Sequence, residues 1–296
     1  MVATLVSEQE VLMHNISSLR ANRRHWTPFH RVGAALCCVA ALLGACASSP
    51  SAPPAAAVAE LAPGGKLRAA INFGNPILAS RDAGTGQPRG VSVDLSRELA
   101  ARLGVGLEFV TFDAAGKVVE AARSGAWDIA FVAIDPARGQ DMLQTAPYVI
   151  IEGAYLVRAD SKLQRNEDVD REGVRIAVGK GSAYDLYLAR NLKQARIVHA
   201  ATSPAVTDLF IAQQLEVAAG VKQQLEADAR RVAGLRLLPG RFMVINQAMA
   251  TPKGRDAGAR YLNEFVEAMK ASGFVAQALA RHGIEGAAVA PAGPAR

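Results

Sequence analysis

WDIAFVAI, residues 127–134, is an apolar run interrupted only by Asp128. A strand that alternates with polar residues keeps one face in water, whereas a nearly continuous run of Ile, Val, Phe and Ala is a strand covered on both faces. Outward from it the chain alternates element types. Leu67 to Phe73 (LRAAINF) is strand-like, and after a Gly/Pro-rich loop Asp94 to Leu103 sets Leu95, Leu99 and Leu103 on one helical face, with Gly104 as the stop. Leu107 to Phe112 is the next strand and the segment up to Ser124 a helix ended by Gly125. Strands separated by helices imply right-handed βαβ units around a parallel sheet, an α/β fold.

The same order begins again at Val174. VRIAVG (174–179) is a strand, Gly181-Ser182 a tight turn, and Tyr184, Tyr187, Leu188 and Leu192 one face of the following helix. Ser203-Pro204 is an N-cap and first-position pair for a helix burying Val206, Leu209 and Phe210, and Leu215 to Val221 is a further strand. Arg241 to Ala250 is strand-like. Asp256 to Ser272 is a helix with Leu262, Phe265, Val266 and Met269 inward and Gly273 at its end. The expected architecture is two α/β halves with a C-terminal return.

The N-terminus is read as processing signal. Arg20, Arg23, Arg24 and Arg31 precede the apolar stretch Gly33 to Ala45, the order of a secretory leader, and the stretch is too short for a bilayer-spanning helix of about 20 residues. It ends in Leu43-Gly44-Ala45-Cys46, which looks like a bacterial lipobox, so residues 1–45 are expected to be removed and Cys46 to carry lipid. The Pro/Ala/Ser-rich run behind it, residues 46–61, then serves as a flexible tether and favours this reading over a cleavable leader with a coincidental cysteine. Residues 287–296 are expected to be a disordered tail.

The formal charge of +6 is partly in the leader and nowhere forms a run of five like charges, which argues against a nucleic-acid stripe. Cys37 and Cys38 lie in the leader, so no intrachain disulfide is expected in the mature chain, and with His199 and His282 its only histidines a zinc site on His and Cys ligands is set aside. No G-x-S-x-G elbow, H-E-x-x-H pair or Walker loop is present. No cofactor is called for.

Several short segments stand in a telling order: Gly90-Val91-Ser92-Val93-Asp94-Leu95, then Ser124-Gly125-Ala126-Trp127-Asp128, Asp135-Pro136-Ala137-Arg138, Ala146-Pro147-Tyr148 and Gly179-Lys180-Gly181-Ser182-Ala183. Together they resemble the periplasmic solute-binding proteins of the amino-acid-binding class (family 3) that feed ABC transporters, over about residues 65 to 284. Val91 and Ser92 depart from an aromatic and an acidic position, and Asp135 stands in place of a threonine. The resemblance implies the two-lobed type II periplasmic binding protein fold, each lobe a mostly parallel sheet flanked by helices. Lobe 1 would be residues 62–151 plus 245–286 and lobe 2 residues 152–244, with two hinge crossings near Ile150 to Tyr155 and Phe242 to Gln247. The ligand would sit in the cleft, outside the carboxyl ends of the strands.

The implied binding residues can be weighed by chemistry. Arg138 offers a planar fork for a carboxylate, or else is a surface arginine paired to Asp135 or Asp141. Gly181, Ser182 and Ala183 would present N–H groups at a helix N-terminus, or form an ordinary turn. Asn72 is a ligand contact or a turn-capping amide, and Glu152 is either solvated on an edge or aimed at the cleft. Phe131 reads as packing and Asp94 as a helix-start residue. The family's acid for an α-ammonium group lies in a strand that here reads Leu215-Glu216-Val217-Ala218-Ala219-Gly220-Val221-Lys222, with no acid at Gly220 or Val221. Glu152 or Asp135 then takes over that anchor, or the ligand lacks the amine, which is the preferred reading.

The expected function is that of an extracytoplasmic lipoprotein, monomeric and held to a membrane only through Cys46. It would capture a small carboxylate-bearing solute and deliver it to an ABC permease. Two alternatives stay open: a periplasmic cyclohexadienyl or arogenate dehydratase using Glu152 or Asp135 as its acid, and a ligand-sensing partner of a membrane receptor.

Overall fold

The computed structural model describes residues 52–293; the leader and Cys46 lie outside them. The first half contains α1 (Ala55–Leu61), β1 (Lys66–Asn72), the short pair β2 (Ser80–Arg81) and β3 (Pro88–Arg89), α2 (Val91–Leu103), β4 (Gly106–Phe112), α3 (Ala115–Ala122) and β5 (Ile129–Ala133). A 17-residue strand, β6 (Met142–Arg158), leads out of it. The second half follows with β7 (Arg175–Gly179), α4 (Ala183–Asn191), β8 (Arg196–Ala200), α5 (Val206–Ala212), β9 (Val217–Val221), α6 (Lys222–Arg231) and β10 (Leu235–Leu237). The chain returns through β11 (Met243–Pro252), α7 (Asp256–Ala271), α8 (Phe274–Arg281) and β12 (Ala288–Val289).

These strands join in the order β4-β1-β5-β11-β6-β9-β7-β8, with β10 and β12 also on β6. Pairing is parallel within each half, β1 with β4 and β5, and β7 with β8 and β9. The seam is antiparallel: Ile150 faces Asn246, Ile151 faces Ile245 and Glu152 faces Val244. The two segments expected as crossings therefore lie side by side. Every residue of β5 is buried, and alternation sends Ile129, Phe131 and Ala133 into one hydrophobic cluster and Ala130 and Val132 into another, with Trp127. The Trp127 indole N–H donates to the Val118 carbonyl at 2.9 Å, so this large ring is packed without an orphaned donor.

Several expectations shift. α2 begins at Val91, not Asp94, because Gly90 turns the chain with φ 125°; a Cβ there would come within 2.4 Å of the Leu78 carbonyl oxygen. Asp94, inside the first turn, joins α2 to the end of α8 through Arg281 (2.6 Å) and His282 (2.9 Å). Ser203-Pro204 lies in a 3-10 turn entered from Thr202, without a side-chain cap. Residues 55–61 are not tether: AAAVAEL is rich in the strongest helix former, and α1 buries Leu61 beside Gly258 of α7, whose N–H donates to Glu60 at 2.7 Å. Nor is the segment from 287 a loose tail. β12 pairs with Val149 and Ile150, the Ala290 N–H donates to the Tyr148 carbonyl, and the Gly293 N–H to Glu267.

Asp128 is fully buried where β5 begins. It receives the Arg68 guanidinium (2.8 and 2.9 Å), the Arg68 backbone N–H (3.0 Å) and Arg255 of the return segment (2.8 Å). Burial works to raise its carboxyl, but these bonds outweigh it and hold the group below the usual carboxylate range. Asp128→Asn should destabilise the protein by about 2–4 kcal/mol at pH 7, since it strands two arginines. A carboxyl lowered on folding contributes fully above about pH 4 and loses that contribution as pH falls through its folded value, so the gap to wild type should narrow in acid. Melting curves from pH 7 to 3 check both statements; equal stability at pH 7 would show that water satisfies the arginines.

Candidate functional site

The carboxyl ends of β1, β5, β7 and β9 point toward one partly open cleft with about 40 Å³ of free volume between its walls. The first half contributes Asn72, Gly74 and Asn75 from the end of β1, Ala115 from the start of α3, Phe131 to Ala133 from β5, and Arg138. The second contributes Ser182, Ala183 and Tyr184 at the start of α4, Ser203 and Val221. Ile245 and Gln247 of β11 form the floor.

Arg138 is the only charged lining residue. It stands in the 3-10 turn after β5 and is 2% exposed. Its Nη1 donates to the Ala133 carbonyl (3.1 Å) and its Nη2 crosses the cleft to the Gly181 carbonyl (2.9 Å), while Nε has no partner. The surface-arginine alternative does not hold. Asp135 is engaged by Arg190 (2.7 Å) and the Ala137 N–H (2.9 Å), and Asp141 by Arg123 (2.9 Å). Burial pushes the Arg138 guanidinium down to about 10, with the Asp135 charge acting the other way, so it remains a cation at neutral pH. A buried cation fed only by carbonyls is costly until an anion arrives.

The turn between β7 and α4 fits its expected role less fully. The Gly181 N–H is donated to Asp185 (2.8 Å) and the Ser182 N–H to the Gly179 carbonyl (3.0 Å). The Ser182 hydroxyl caps α4 by accepting the Asp185 N–H. Of the three, Ala183 at the first helical position keeps an N–H with no partner inside the helix. Asn72 lines the cleft and also caps a turn, its Oδ1 accepting the Gly74 N–H at 2.9 Å.

Asp135 and Glu152 are not brought to the cleft wall. Asp135 ties the halves together through Arg190 of α4. Glu152 points to Arg241 (2.5 Å) and Lys222 (3.2 Å); Arg241, working against burial and joined by Lys222, holds its carboxyl below the usual range. Asn75 and Gln247, given no role from the sequence, line the cleft as well, together with Tyr184 and Ser203, expected only as helix-face and capping residues, and Val221, one of the two positions where the family's acid is missing. Gln247, a buried amide in a largely apolar strand that also carries Asn246 and Thr251, carries a signal in its own chemistry. Phe131 serves twice, stacking edge-on against Tyr148 and facing the cleft.

A family model, that of bacterial extracellular solute-binding proteins, family 3, matches residues 67–284. No curated protein sequence matches the chain. Among solved structures, a mutant of ArgBP from T. maritima aligns with TM-score 0.67 and 20% identity, covering 77% of this chain and 100% of that one. The ancestral amino acid-binding protein AncCDT-1, a precursor of cyclohexadienyl dehydratase, aligns with TM-score 0.65 and 22% identity over 76% and 98%. An amino acid ABC transporter substrate-binding protein from Streptococcus pneumoniae, bound to L-arginine, aligns with TM-score 0.66 and 20% identity over 76% and 97%. At such identities the likeness is one of fold, the two-lobed type II periplasmic binding protein fold.

The halves meet most closely at two glycines. Gly181 has φ 71°, and a Cβ on it would come within 2.7 Å of the Gly116 Cα on α3. Gly181→Ala should therefore hold the halves apart, with only about 1–2 kcal/mol of local backbone strain. Small-angle scattering should give a larger radius of gyration than wild type under identical conditions; equal values would mean that α3 gives way instead.

Proposed function

The chain belongs to the bacterial extracellular solute-binding proteins, family 3, and from that premise we propose that it captures a small carboxylate-bearing solute between its lobes and presents it to an ABC permease. The carrying observation is Arg138: a buried guanidinium, free of any ion pair among the described residues, with an unpartnered Nε at the cleft. A carboxylate accepts such a fork through two parallel bonds. Lobe 1 (62–151 plus 245–286, extended to residues 55–61 and 287–293) and lobe 2 (152–244) close on the solute, and closure is what the permease recognises.

In this reading the protein binds and releases its solute unchanged. A dehydratase would need an acid at the leaving hydroxyl, and both candidates are engaged elsewhere, Glu152 by Arg241 and Lys222 and Asp135 by Arg190. The protein is further proposed to be monomeric, periplasmic, and lipid-anchored through Cys46, with residues 46–54 as the remaining tether. Cys46→Ala should move it from the membrane fraction to the soluble periplasmic fraction on cell fractionation; an unchanged distribution would rule out the anchor.

Calorimetric titration with small carboxylic acids tests the binding role. Arg138→Ala should weaken binding by about 30-fold or more, the loss expected for a desolvated charge pair of about 2–5 kcal/mol. Arg138→Lys should recover only part of it, because an ammonium lacks the planar fork. Affinity within threefold of wild type in a folded Arg138→Ala protein would remove Arg138 from the site.

A further inference from the structure

The cleft has a cation and, among the described residues, no anion on its wall. Four acids beside the cleft elements are already committed. Asp135 is held by Arg190, Glu152 by Arg241 and Lys222, and Glu216 by Arg175 at 2.8 Å. Asp185 accepts the Gly181 N–H and contacts His199 at 2.9 Å. None of the four lines the cleft. What faces the interior beside Arg138 is neutral: the amides of Asn72, Asn75 and Gln247, the Tyr184 hydroxyl, and apolar Phe131 and Val221.

An α-amino acid needs two opposite charges matched within a few ångströms of each other. Its carboxylate would find Arg138, but its ammonium would be stripped of water with only neutral acceptors for company and a guanidinium nearby, an arrangement that penalises the zwitterion. An acid bearing a hydroxyl or carbonyl oxygen instead meets no such penalty. A buried Oδ1 of Asn75 without a hydrogen-bond partner, with the Tyr184 hydroxyl beside the same cleft, suits an uncharged polar substituent. The cleft's free volume of about 40 Å³ and the apolar Phe131 and Val221 on its wall limit the remainder to a small, largely apolar group.

We infer that the solute is a small monocarboxylate without an α-ammonium group, of the 2-hydroxy or 2-oxo acid class, selected by the absence of a carboxylate from the cleft wall. This rests on the carboxylate-capture reading above. Val221 offers the place to test it. Val221 ends β9, lines the cleft, and occupies the N-cap of α6 with extended backbone (φ −65°, ψ 130°) and no side-chain cap. Aspartate is among the best N-cap residues and valine among the worst. Val221→Asp therefore adds a carboxylate at the cleft wall where the backbone favours one, at the cost of Val221's packing against the core.

The test is calorimetry on the full mature chain with matched acids: alanine against lactate and pyruvate, valine against 2-hydroxyisovalerate, leucine against 2-hydroxyisocaproate, phenylalanine against phenyllactate. Wild type should bind the best deaminated acid at least tenfold tighter than its amino counterpart, and Val221→Asp should reverse that order. Tighter binding of amino acids by wild type would overturn the inference while leaving carboxylate capture standing. An unchanged preference in folded Val221→Asp would also overturn it, because wall charge would then not decide the choice. If no acid of either kind binds, carboxylate capture itself fails and the inference with it.

Discussion

The antiparallel pairing of β6 with β11 is the constraint on which the rest of the molecule is hung. Each half is a parallel sheet that grows by crossover helices, and such a sheet extends only sideways. Joining two of them requires strands that leave one and enter the other, and β6, 17 residues long, does so while β11 lies against it. The register is held by Ile151 opposite Ile245, with Val149 opposite the Gln247 amide beside it and Tyr155 stacked on Phe242 at 4.2 Å on the far side. Because a shift by one residue would turn every side chain to the other face, the seam fixes which residues form the floor between the halves. Ile245 and Gln247 are there for that reason.

From that floor the cleft acquires its chemistry by what each strand places at its end. β5 is too apolar to carry a functional group within its length, so its contribution arrives in the turn that follows, where Arg138 folds back to the Ala133 carbonyl. The guanidinium is dehydrated by the same packing that makes β5 a buried strand. Its second carbonyl partner belongs to Gly181 across the cleft, so the group that would hold the solute also holds the two halves. Arg190 with Asp135 does so a second time. Under the proposed function, solute capture and closure would thus draw on one set of bonds.

The fold was legible in the sequence wherever periodicity was strong. WDIAFVAI was correctly read as a doubly covered strand, and Leu262, Phe265, Val266 and Met269 as the inward face of α7. β8 went unseen because RIVHA is a half-exposed edge strand with charge at one end and histidine near the other, a composition that fits a loop equally well. The ends were misread for a different reason: Ala/Pro-rich composition describes a tether and a helix start alike, and only the fit of Leu61 beside Gly258 separates them. At the site, Arg138 could be found because a motif marked it. Val221 was marked only by the resemblance, as a place where an acid is missing; Asn75 and Tyr184 could not be found, since their presence on the wall depends on how the halves approach each other, and no local pattern encodes that. Glu152 misled for the same reason: its neighbours in sequence are apolar, and its partners Lys222 and Arg241 arrive from 70 and 89 residues away.

Both ends of the described chain are fastened to the same corner. α1 lies on α7, and β12 with Ala290 lies along β6 beside Tyr148. The second half has no terminus of its own and is attached through chain segments that pass along the seam. A load applied at either end of the polypeptide would run into the first half and stop there, with no lever arm on the second. Under the proposed function the first half would be the mount and the second the moving jaw, and a pull on the mount would leave the balance between open and shut to the bonds across the cleft and to the solute.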